Sequence, residues 1–358
     1  MPALPGMSRA AASFSRSSQV ITLLYPAYDQ MEISQSVEPV PGPGEVRLRV
    51  EACGICGSEL EAFKSRSPRR VPPLVMGHEF CGVIEETGRG VQSFTKGERV
   101  VSHSLLSCGA CLRCTSGRPH LCTERRIFGM HLPGGFAESV VTPVRSLIRW
   151  PENVPAESAC LTEPLANGVH VVNLTRHLEP KTVAVIGAGA IGLFCQQAFQ
   201  SILGLEVYVS DLIPERLAVA ARLGARNTIN SRTHDFVQAI YDLTDGEGAD
   251  VVVDAVGANL TKKVSIGATR PGGATVWIGT HENAITINSY EITLAERHVM
   301  GSYAATMSEL QTALDLIANG SVDAGSWVTQ FPLGNGVEAF QRMLAAKGND
   351  VKAVLRPH

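Results

Sequence analysis

The sequence predicts a two-domain α/β protein in which a β-rich domain precedes a doubly wound parallel sheet. Three observations support this prediction: a length of 358 residues, short alternating strands before residue 150, and a strand–turn–helix–strand unit after residue 180. A chain of this length suits two domains rather than one. We expect a disordered extension at 1–18, the β-rich domain at 19–170, the doubly wound domain at 171–305, and a return to the first domain at 306–358.

The composition excludes several classes of function. A net charge of −3 gives no electrostatic attraction for nucleic acid or an anionic membrane. No apolar run approaches the ~18 residues of a membrane span. The first eighteen residues carry Arg9, Arg16 and no acid, which faintly resembles a transit peptide. We interpret this stretch as a disordered tail, or as the result of a start site placed too early with Met7 as the real one. Because it lacks the apolar core of a secretion signal, we expect a cytoplasmic protein.

The β-rich domain contains a compact group of cysteines. Residues 20–150 are predicted to form short strands between turns. One stretch of fifteen residues in this domain contains four of the nine cysteines of the chain. They are Cys108, Cys111, Cys114 and Cys122. Two-residue gaps let successive thiolates surround one ion, so the spacing predicts a structural zinc site with no open position. An iron–sulfur cluster or reduced thiols without metal are the alternatives.

A second group of metal-ligand residues is dispersed along the chain. Cys53 and Cys56 lie close together, His78 and Glu79 are adjacent, and Glu163 follows the β-rich domain. Only folding can bring these side chains to one ion, and their spacing alone does not predict a site. By itself His78 suits a hydrogen-bonded structural histidine, and Glu163 suits a solvated surface acid.

The pattern at residues 182–211 predicts a dinucleotide-binding unit. An apolar β-branched run at 183–186 predicts a strand buried on both faces. Gly187, Gly189 and Gly192 follow it, and their spacing suits a tight turn, close approach of a pyrophosphate, and packing of helix on strand. The N–H groups that begin the next helix, which includes Ile191, attract the phosphates. The alternative is an α/β unit that binds no nucleotide.

Later strand ends complete the expected cofactor site. Asp211 ends the second strand about 20 residues beyond the last glycine, where a carboxylate accepts both ribose hydroxyls and repels a 2′-phosphate. The cofactor is therefore expected to be NAD. In an open parallel sheet the ligand lies at the carboxyl ends of the strands, so Val256 and the run from Ile278 to Thr280 are candidates for nicotinamide contact.

These motifs, in this order, resemble the zinc-dependent alcohol dehydrogenases of the medium-chain dehydrogenase/reductase family. The resemblance covers residues 41–356 and is strongest to the polyol (sorbitol) and threonine dehydrogenase branches. His78 and Glu79, followed by Gly82, Gly88 and Gly90, are similar to the zinc signature of the family, and the four clustered cysteines to its structural-zinc lobe. The resemblance implies a GroES-like catalytic domain and a Rossmann domain.

The resemblance also implies roles for single residues. Cys56 and His78 would bind the catalytic zinc, with Cys53 only a neighbour. Glu79 would be a direct or an indirect ligand. Glu163 would bind zinc directly or through water. Ser58 would take the hydroxyl proton of the substrate and pass it to the ribose of the cofactor.

The activity implied by the resemblance is oxidation of a secondary alcohol or polyol to the ketone, by hydride transfer from a zinc-stabilised alkoxide to NAD. One catalytic and one structural zinc per chain and a homodimer or homotetramer belong to this expectation. A phosphopolyol or amino-alcohol dehydrogenase is the alternative within enzymes. A catalytically silent nucleotide-binding protein is the alternative of another class.

Several positions depart from the family pattern or extend it. Glu59 stands where the family has aspartate, and Glu61 stands where many relatives have the outer relay histidine, so Glu61 is either a proton acceptor or a surface acid. Ala304 replaces an arginine of sorbitol dehydrogenases. Arg216 resembles an arginine that flanks the adenine. Five arginines offer charge for a phosphorylated substrate, although a solvated surface position suits each of them: Arg66, Arg69, Arg70, Arg125 and Arg126.

Overall fold

The computed structural model describes residues 18–345 and 350–358. The predicted disordered extension at 1–18 lies outside these residues, apart from Ser18. The strands are β1 Gln19–Tyr25, β2 Glu32–Val37, β3 Glu45–Gly54, β4 Leu74–Val75, β5 Glu79–Thr87, β6 Arg99–Ser102, β7 Leu105–Leu106, β8 Arg126–Ile127, β9 Ser139–Pro143, β10 Leu147–Arg149, β11 Val183–Ile186, β12 Val207–Asp211, β13 Asn227–Asn230, β14 Ala249–Asp254, β15 Thr269–Trp277, β16 His298–Gly301, β17 Val328–Pro332 and β18 Lys352–Arg356.

The α-helices of the described residues alternate with the later strands. They are α1 Gly57–Lys64, α2 Leu112–Thr115, α3 Ala156–Ala159, α4 Thr162–Thr175, α5 Ala190–Leu203, α6 Pro214–Arg222, α7 Phe236–Leu243, α8 Asn259–Ala268, α9 Tyr290–Thr293, α10 Met307–Ala318 and α11 Gly336–Ala345. Among the residues that the structure describes, no helix has both the length and the apolar character needed to span a bilayer.

The first domain is built on a seven-stranded sheet. Its strands run in the order β10-β6-β5-β3-β18-β17, and β9 also pairs with β3. A three-stranded sheet, β2-β1-β4, and the β7–β8 pair complete the domain. Alternate residues of β3, among them Leu48 and Val50, are fully buried and pack with Phe80, Ile84 and Phe136. This alternation is what a sheet with one covered face requires, and the predicted β-rich domain is confirmed.

The second domain is a six-stranded sheet in the order β13-β12-β11-β14-β15-β16, and every neighbouring pair is parallel. Strand β11 is buried along its whole length. Val183 and Val185 pack with helix α5 on one face, while Ala184 and Ile186 pack with α7 on the other. Burial on both faces explains its continuous apolar run, and the predicted doubly wound sheet is confirmed.

Helix α5 follows the glycine turn as predicted. Phe194, Cys195 and Ala198 are fully buried, whereas Ile191 and Ile202 are half-buried against the same core. The helix ends at Gly204, whose φ of 67° is the left-handed conformation that glycine tolerates best.

The chain returns to the first sheet at its C-terminal end. Strand β18 pairs antiparallel with β3, so that Val354 lies opposite Gly54 and Leu355 opposite Cys53. Helix α10 instead packs on α4 and shares the core of α5. Helix α4 runs across the predicted boundary at 170, and α10, which begins just after the predicted boundary at 305, packs on α4. Both boundaries therefore stay predictions.

Candidate active site

Three potential metal ligands converge from two segments of the first domain. One donor atom each of Cys56, His78 and Glu79 lies within 4.8 Å of the other two. Cys56 directly precedes α1, and Glu79 begins β5. His78 and Glu79 are buried, with 8% and 1% of their surfaces exposed. A thiol, an imidazole and a carboxylate form a donor set that fits zinc.

Glu59 fixes the orientation of His78. Its Oε1 lies 2.8 Å from His78 Nδ1 and accepts a hydrogen bond of 2.9 Å from the backbone N–H of Gly77. Its Oε2 accepts a bond of 3.0 Å from the N–H of Cys56. The extra methylene of glutamate therefore still reaches the imidazole, and Nε2 stays available for a metal. Burial opposes ionisation of Glu59, but His78 and Arg70 outweigh it and lower the pKa of the carboxyl group.

A buried lysine that the sequence analysis missed pairs with Glu79. Lys352 Nζ contacts Glu79 Oε2, and the two side chains are 3% and 1% exposed. Burial by itself lowers the pKa of Lys352, but the charges of Glu79 and Cys56 raise it above its ordinary value. A Cβ on Gly54 would lie 2.1 Å from Glu79 Oε2, so this ion pair requires glycine there. No local pattern points to Lys352, because strand pairing alone brings it to the site.

Glu163 lies beside this group but has partners of its own. Its Oε1 accepts a hydrogen bond of 2.6 Å from Ser104 Oγ, and its Oε2 accepts one of 3.4 Å from Asn167 Nδ2. Burial is the main cause that raises the pKa of Glu163; the charge of His78 opposes this rise and that of Glu79 adds to it. Since only 9% of the residue is exposed, the interpretation as a solvated surface acid is wrong.

Ser58 lies between the thiol and a buried arginine. Its Oγ donates to Cys56 Sγ at 3.3 Å and accepts from Arg70 Nη2 at 3.2 Å. Arg70 also donates to the carbonyls of Ser58 at 2.9 Å and Gly129 at 3.1 Å. With 4% of its surface exposed, Arg70 is not the solvated arginine that we expected. Its three acceptors offset the cost of removing the guanidinium from water.

A contact between the two domains lies near this site. Glu61 Oε2 is 3.5 Å from Nδ1 of His281, and the side chains are 37% and 58% exposed. His281 directly follows Thr280, the last of the residues expected near the nicotinamide. The sequence leaves Glu61 as either a proton acceptor or a surface acid, and it gives no indication of the partner His281.

The four clustered cysteines form a separate group in which each sulfur lies within 4.8 Å of the others. Cys111 Sγ is 3.5 Å from Cys114 Sγ and 3.8 Å from Cys122 Sγ. The backbone N–H of Cys114 is the main cause that lowers the pKa of Cys111 to about 6. Four sulfur atoms gathered this closely form a donor set that fits a zinc ion.

The three glycines of the turn in the second domain have different surroundings. Gly187 has a φ of 99°, in the left-handed region. A Cβ on Gly192 would lie 1.7 Å from the carbonyl oxygen of Gly187, so the helix can approach the turn only without a side chain. A Cβ on Gly189 would meet open space. This opening at the start of α5 fits a pyrophosphate.

The other predicted cofactor residues lie at or just after the carboxyl ends of the parallel strands. Asp211 ends β12, and its Oδ2 accepts a hydrogen bond of 2.7 Å from the N–H of Ala188. Val256 follows β14, is 37% exposed and lies against Gly187. Ile278 and Thr280 follow β15.

Arg216 lies in the first turn of α6 and contacts the C-terminal part of the chain. Its Nη2 donates to the carbonyl of Asp350 at 3.1 Å. Helix α6 carries it beside the loop before β18, and its role toward an adenine stays a prediction.

Comparison with known proteins agrees with this geometry. The family model for the alcohol dehydrogenase GroES-like domain matches residues 42–152, and the model for zinc-binding dehydrogenases matches residues 190–319. The chain is 30% identical over 347 residues to a D-arabitol-phosphate dehydrogenase from Enterococcus avium, covering 95% of this chain and 98% of that protein.

Two further relatives extend the comparison. A sorbitol dehydrogenase from Halalkalibacterium halodurans is 33% identical over 330 residues, covering 91% of this chain and 95% of the relative. A solved structure of an alcohol dehydrogenase from Escherichia coli CFT073 complexed with NADH has a TM-score of 0.88 at 29% identity, covering 95% of this chain and 99% of that one. The chain therefore belongs to the zinc-dependent alcohol dehydrogenases of the medium-chain dehydrogenase/reductase family.

Proposed function

We propose that this enzyme oxidises a secondary alcohol or polyol to the ketone with NAD, at a site formed by Cys56, Ser58, His78, Glu79 and Glu163. The observation that supports this most strongly is the convergence of the donor atoms of Cys56, His78 and Glu79 within 4.8 Å. A purely structural domain has no need to bring a thiol from one segment to an imidazole and a carboxylate from another.

The metal-binding roles follow from the donor sets. Cys56, His78 and the carboxylates of Glu79 and Glu163 would hold a catalytic zinc, and the four clustered cysteines would hold a structural one. The catalytic ion, when bound, supplies a Lewis acid that stabilises negative charge on the substrate oxygen. Glu59 holds His78 in the tautomer that presents Nε2, and Lys352 balances the charge of Glu79.

Ser58 would accept the hydroxyl proton of the substrate. Arg70 donates to its oxygen from one side, which leaves a lone pair for the substrate hydroxyl. As Ser58 Oγ takes up that proton, it would release its own proton toward the ribose of the cofactor and so remain a neutral hydroxyl. Glu61 and His281, which meet at 3.5 Å and are partly exposed, would carry the proton onward to water.

The NAD would lie along the carboxyl ends of the parallel strands. The N–H groups at the start of α5 would bind the pyrophosphate, and Asp211 the adenosine ribose. Val256, Ile278 and Thr280 would face the nicotinamide, which accepts the hydride. Arg216 would lie beside the adenine.

We further propose a homo-oligomer, a dimer or tetramer, in the cytoplasm. Strand β16 is the edge of the parallel sheet, and Tyr290 and Leu294 beside it are 69% and 79% exposed. An unpaired edge with large apolar side chains favours association with a second copy. The nine cysteines of the chain are free thiols, which suits a reducing compartment.

The test is NAD reduction by a panel of alcohols and polyols, before and after zinc removal by a chelator. We expect oxidation of at least one secondary alcohol, its loss with the chelator, and recovery when zinc is added back. A protein that binds NAD and two zinc ions but oxidises no alcohol in the panel would instead favour the catalytically silent alternative.

A further inference from the structure

Two turns after neighbouring strands carry the residues proposed to face the nicotinamide. Val256 lies in the turn after β14, and Ile278 and Thr280 lie in the turn after β15. The two turns touch through their backbones, since a Cβ on Gly257 would lie 2.2 Å from the carbonyl carbon of Gly279. The surface that they offer to the ring therefore depends on how the two turns are held together.

The turn after β14 is held by Asp254, which ends that strand and has no exposed surface. Its Oδ1 accepts hydrogen bonds of 3.0 Å from the N–H of Val256 and of 2.9 Å from the N–H of Gly257. Its Oδ2 accepts one of 3.1 Å from Thr261 Oγ1, in the first turn of α8. The strand and the helix that flank this turn therefore fix its conformation.

The segment 279–282, which continues the turn after β15, is held by α8. The N–H of Glu282 donates to the carbonyl of Gly257 at 2.9 Å. Glu282 Oε2 accepts a hydrogen bond from the N–H of Asn259, the first residue of α8, and the carbonyl of Glu282 accepts one from Lys262 Nζ. Lys262 is thus the side chain of α8 that reaches across to the backbone of this segment.

Lys262 has few partners for a buried lysine. Only 7% of its surface is exposed. Unlike Lys352, which pairs with Glu79, it forms no ion pair with an acid among the residues that the structure describes. Removing an ammonium group from water without a carboxylate partner is costly, and an apolar side chain of similar length would fill the same space without that cost. The contact with the carbonyl of Glu282 is therefore a better explanation for this lysine than packing.

The same segment carries His281, which faces the other domain. His281 Nδ1 lies 3.5 Å from Glu61 Oε2 on α1, and Cys56 directly precedes that helix. Because His281 lies between Thr280 and Glu282, a shift of the segment displaces the expected nicotinamide contact and the interdomain contact together. One lysine side chain is therefore placed to influence both.

We propose that Lys262 is a positioning residue that holds the segment 279–282 against the turn after β14 and so fixes the surface for the nicotinamide ring. This inference rests on the proposed function, which places NAD at these turns. Lys262 acts through the carbonyl of Glu282 and not through contact with the cofactor. The adenosine end of the cofactor site, at Gly187 and Asp211, lies on other strands and does not depend on this lysine.

The experiment compares NADH with ADP-ribose, which has the adenosine, the pyrophosphate and the second ribose but no nicotinamide. Calorimetry gives the dissociation constants of both for zinc-loaded wild type and Lys262→Met. We expect NADH binding to weaken about tenfold in the variant, because a smaller fraction of the protein then holds the segment in its binding arrangement. ADP-ribose binding should change less than about twofold, since it makes no use of that arrangement.

The matched control is Lys263→Met, at the exposed next position of α8, where both dissociation constants should stay at the wild-type values. Glu282→Ala is a second variant, at an exposed position, and it decides the question if Lys262→Met does not fold. It removes the acceptor for the N–H of Asn259, so NADH binding should weaken about threefold with ADP-ribose binding unchanged.

The possible failures are distinct. Equal weakening of NADH and ADP-ribose binding would indicate general damage to the domain, and unchanged binding of both would show that the lysine has no positioning role. Either result overturns this inference and leaves the proposed function intact. If wild type binds neither NADH nor ADP-ribose, the proposed function fails and the role of Lys262 fails with it.

Discussion

Ser58 is the residue whose surroundings define its chemistry most clearly. Its Oγ contacts Cys56 Sγ at 3.3 Å and Arg70 Nη2 at 3.2 Å, and neither contact involves the nucleotide domain. In Ser58→Ala the proton loses its first acceptor, so we expect kcat to fall about 10²- to 10³-fold. The dissociation constant of NAD should change less than about twofold. Steady-state kinetics and a fluorescence titration with NADH measure the two quantities.

The control for this substitution is Ser116→Ala, an exposed serine after α2, which should retain full kcat. A Ser58→Ala enzyme that turns over at the wild-type rate would remove this hydroxyl from the proton route.

The buried pair of Lys352 and Glu79 leads to a prediction about stability. Lys352→Met leaves the carboxylate of Glu79 buried with no cation beside it, which costs about 3–5 kcal/mol. We expect the free energy of unfolding of the chelator-treated protein, measured by urea denaturation, to fall by this amount. Adding Glu79→Gln should recover much of the loss, because the remaining buried group is then neutral. Lys263→Met, at an exposed position, is the control; an equal effect there would contradict this explanation.

Resemblance to the family pointed to the ligands but not to the residues that support them. The spacing of Cys56, His78 and Glu79 alone does not predict a site, and their roles followed only from the family signature. Lys352 contacts Glu79 only because strand β18 pairs with β3, and Arg70 contacts Ser58 and the Gly129 turn only after distant segments have folded together. No short stretch of sequence contains either arrangement.

At the scale of elements, the segment 108–122, which carries the four clustered cysteines, depends more on a bound metal than on a hydrophobic core. Helix α2 has four residues and none of them is buried. We therefore expect Cys111→Ser to release one equivalent of zinc and to loosen residues 108–122 to proteolysis. Zinc is measured per chain by atomic emission. Cys195→Ser, in the core of the second domain, should retain both ions; retention of both in Cys111→Ser would refute the structural zinc site.

The start of helix α10 is fixed to α4 by a buried carboxylate. Glu309 Oε1 contacts His170 Nδ1 at 2.9 Å and accepts from Asn173 at 3.0 Å, while its Oε2 accepts from the N–H of Thr306 at 2.7 Å. Burial opposes ionisation, but these hydrogen bonds prevail and lower the pKa of Glu309 to about 2. A carboxylate with a depressed pKa stabilises the fold above its unfolded pKa of about 4.3.

This contribution should disappear as the pH falls from about 4.5 to 2, since the folded carboxyl group then also takes up its proton. The stability difference between wild type and Glu309→Gln should therefore be about 2 kcal/mol at pH 6 and shrink steadily over that range. Denaturant unfolding at several pH values measures it. Glu338→Gln, in the exposed first turn of α11, should show no such trend, and a pH-independent difference for Glu309→Gln would contradict the assignment.

For the whole molecule, the sequence was informative where periodicity and turn chemistry act locally. Strand β11, its glycine turn and helix α5 were predicted to within a few residues, because burial on both faces and the absence of side chains at Gly187 and Gly192 leave few alternatives. The register of the first sheet was not predicted, since β3 pairs with strands from both ends of the chain. Pairing between distant segments depends on the complete fold.

The two domains also meet through contacts that neither domain specifies alone. Glu61 faces His281, and Arg125 faces Tyr303, across the boundary between the two sheets. The first contact starts from α1, which directly follows Cys56. The proposed chemistry is therefore a property of the assembled molecule, with a reactive metal on one domain facing a cofactor on the other.

Cys56→Ala tests this claim most directly, with zinc content and NAD reduction measured on the same sample. We predict that the variant keeps one zinc per chain, held by the four clustered cysteines, binds NADH normally, and oxidises no alcohol that wild type oxidises. Two zinc ions per chain together with wild-type alcohol oxidation in Cys56→Ala would contradict the account.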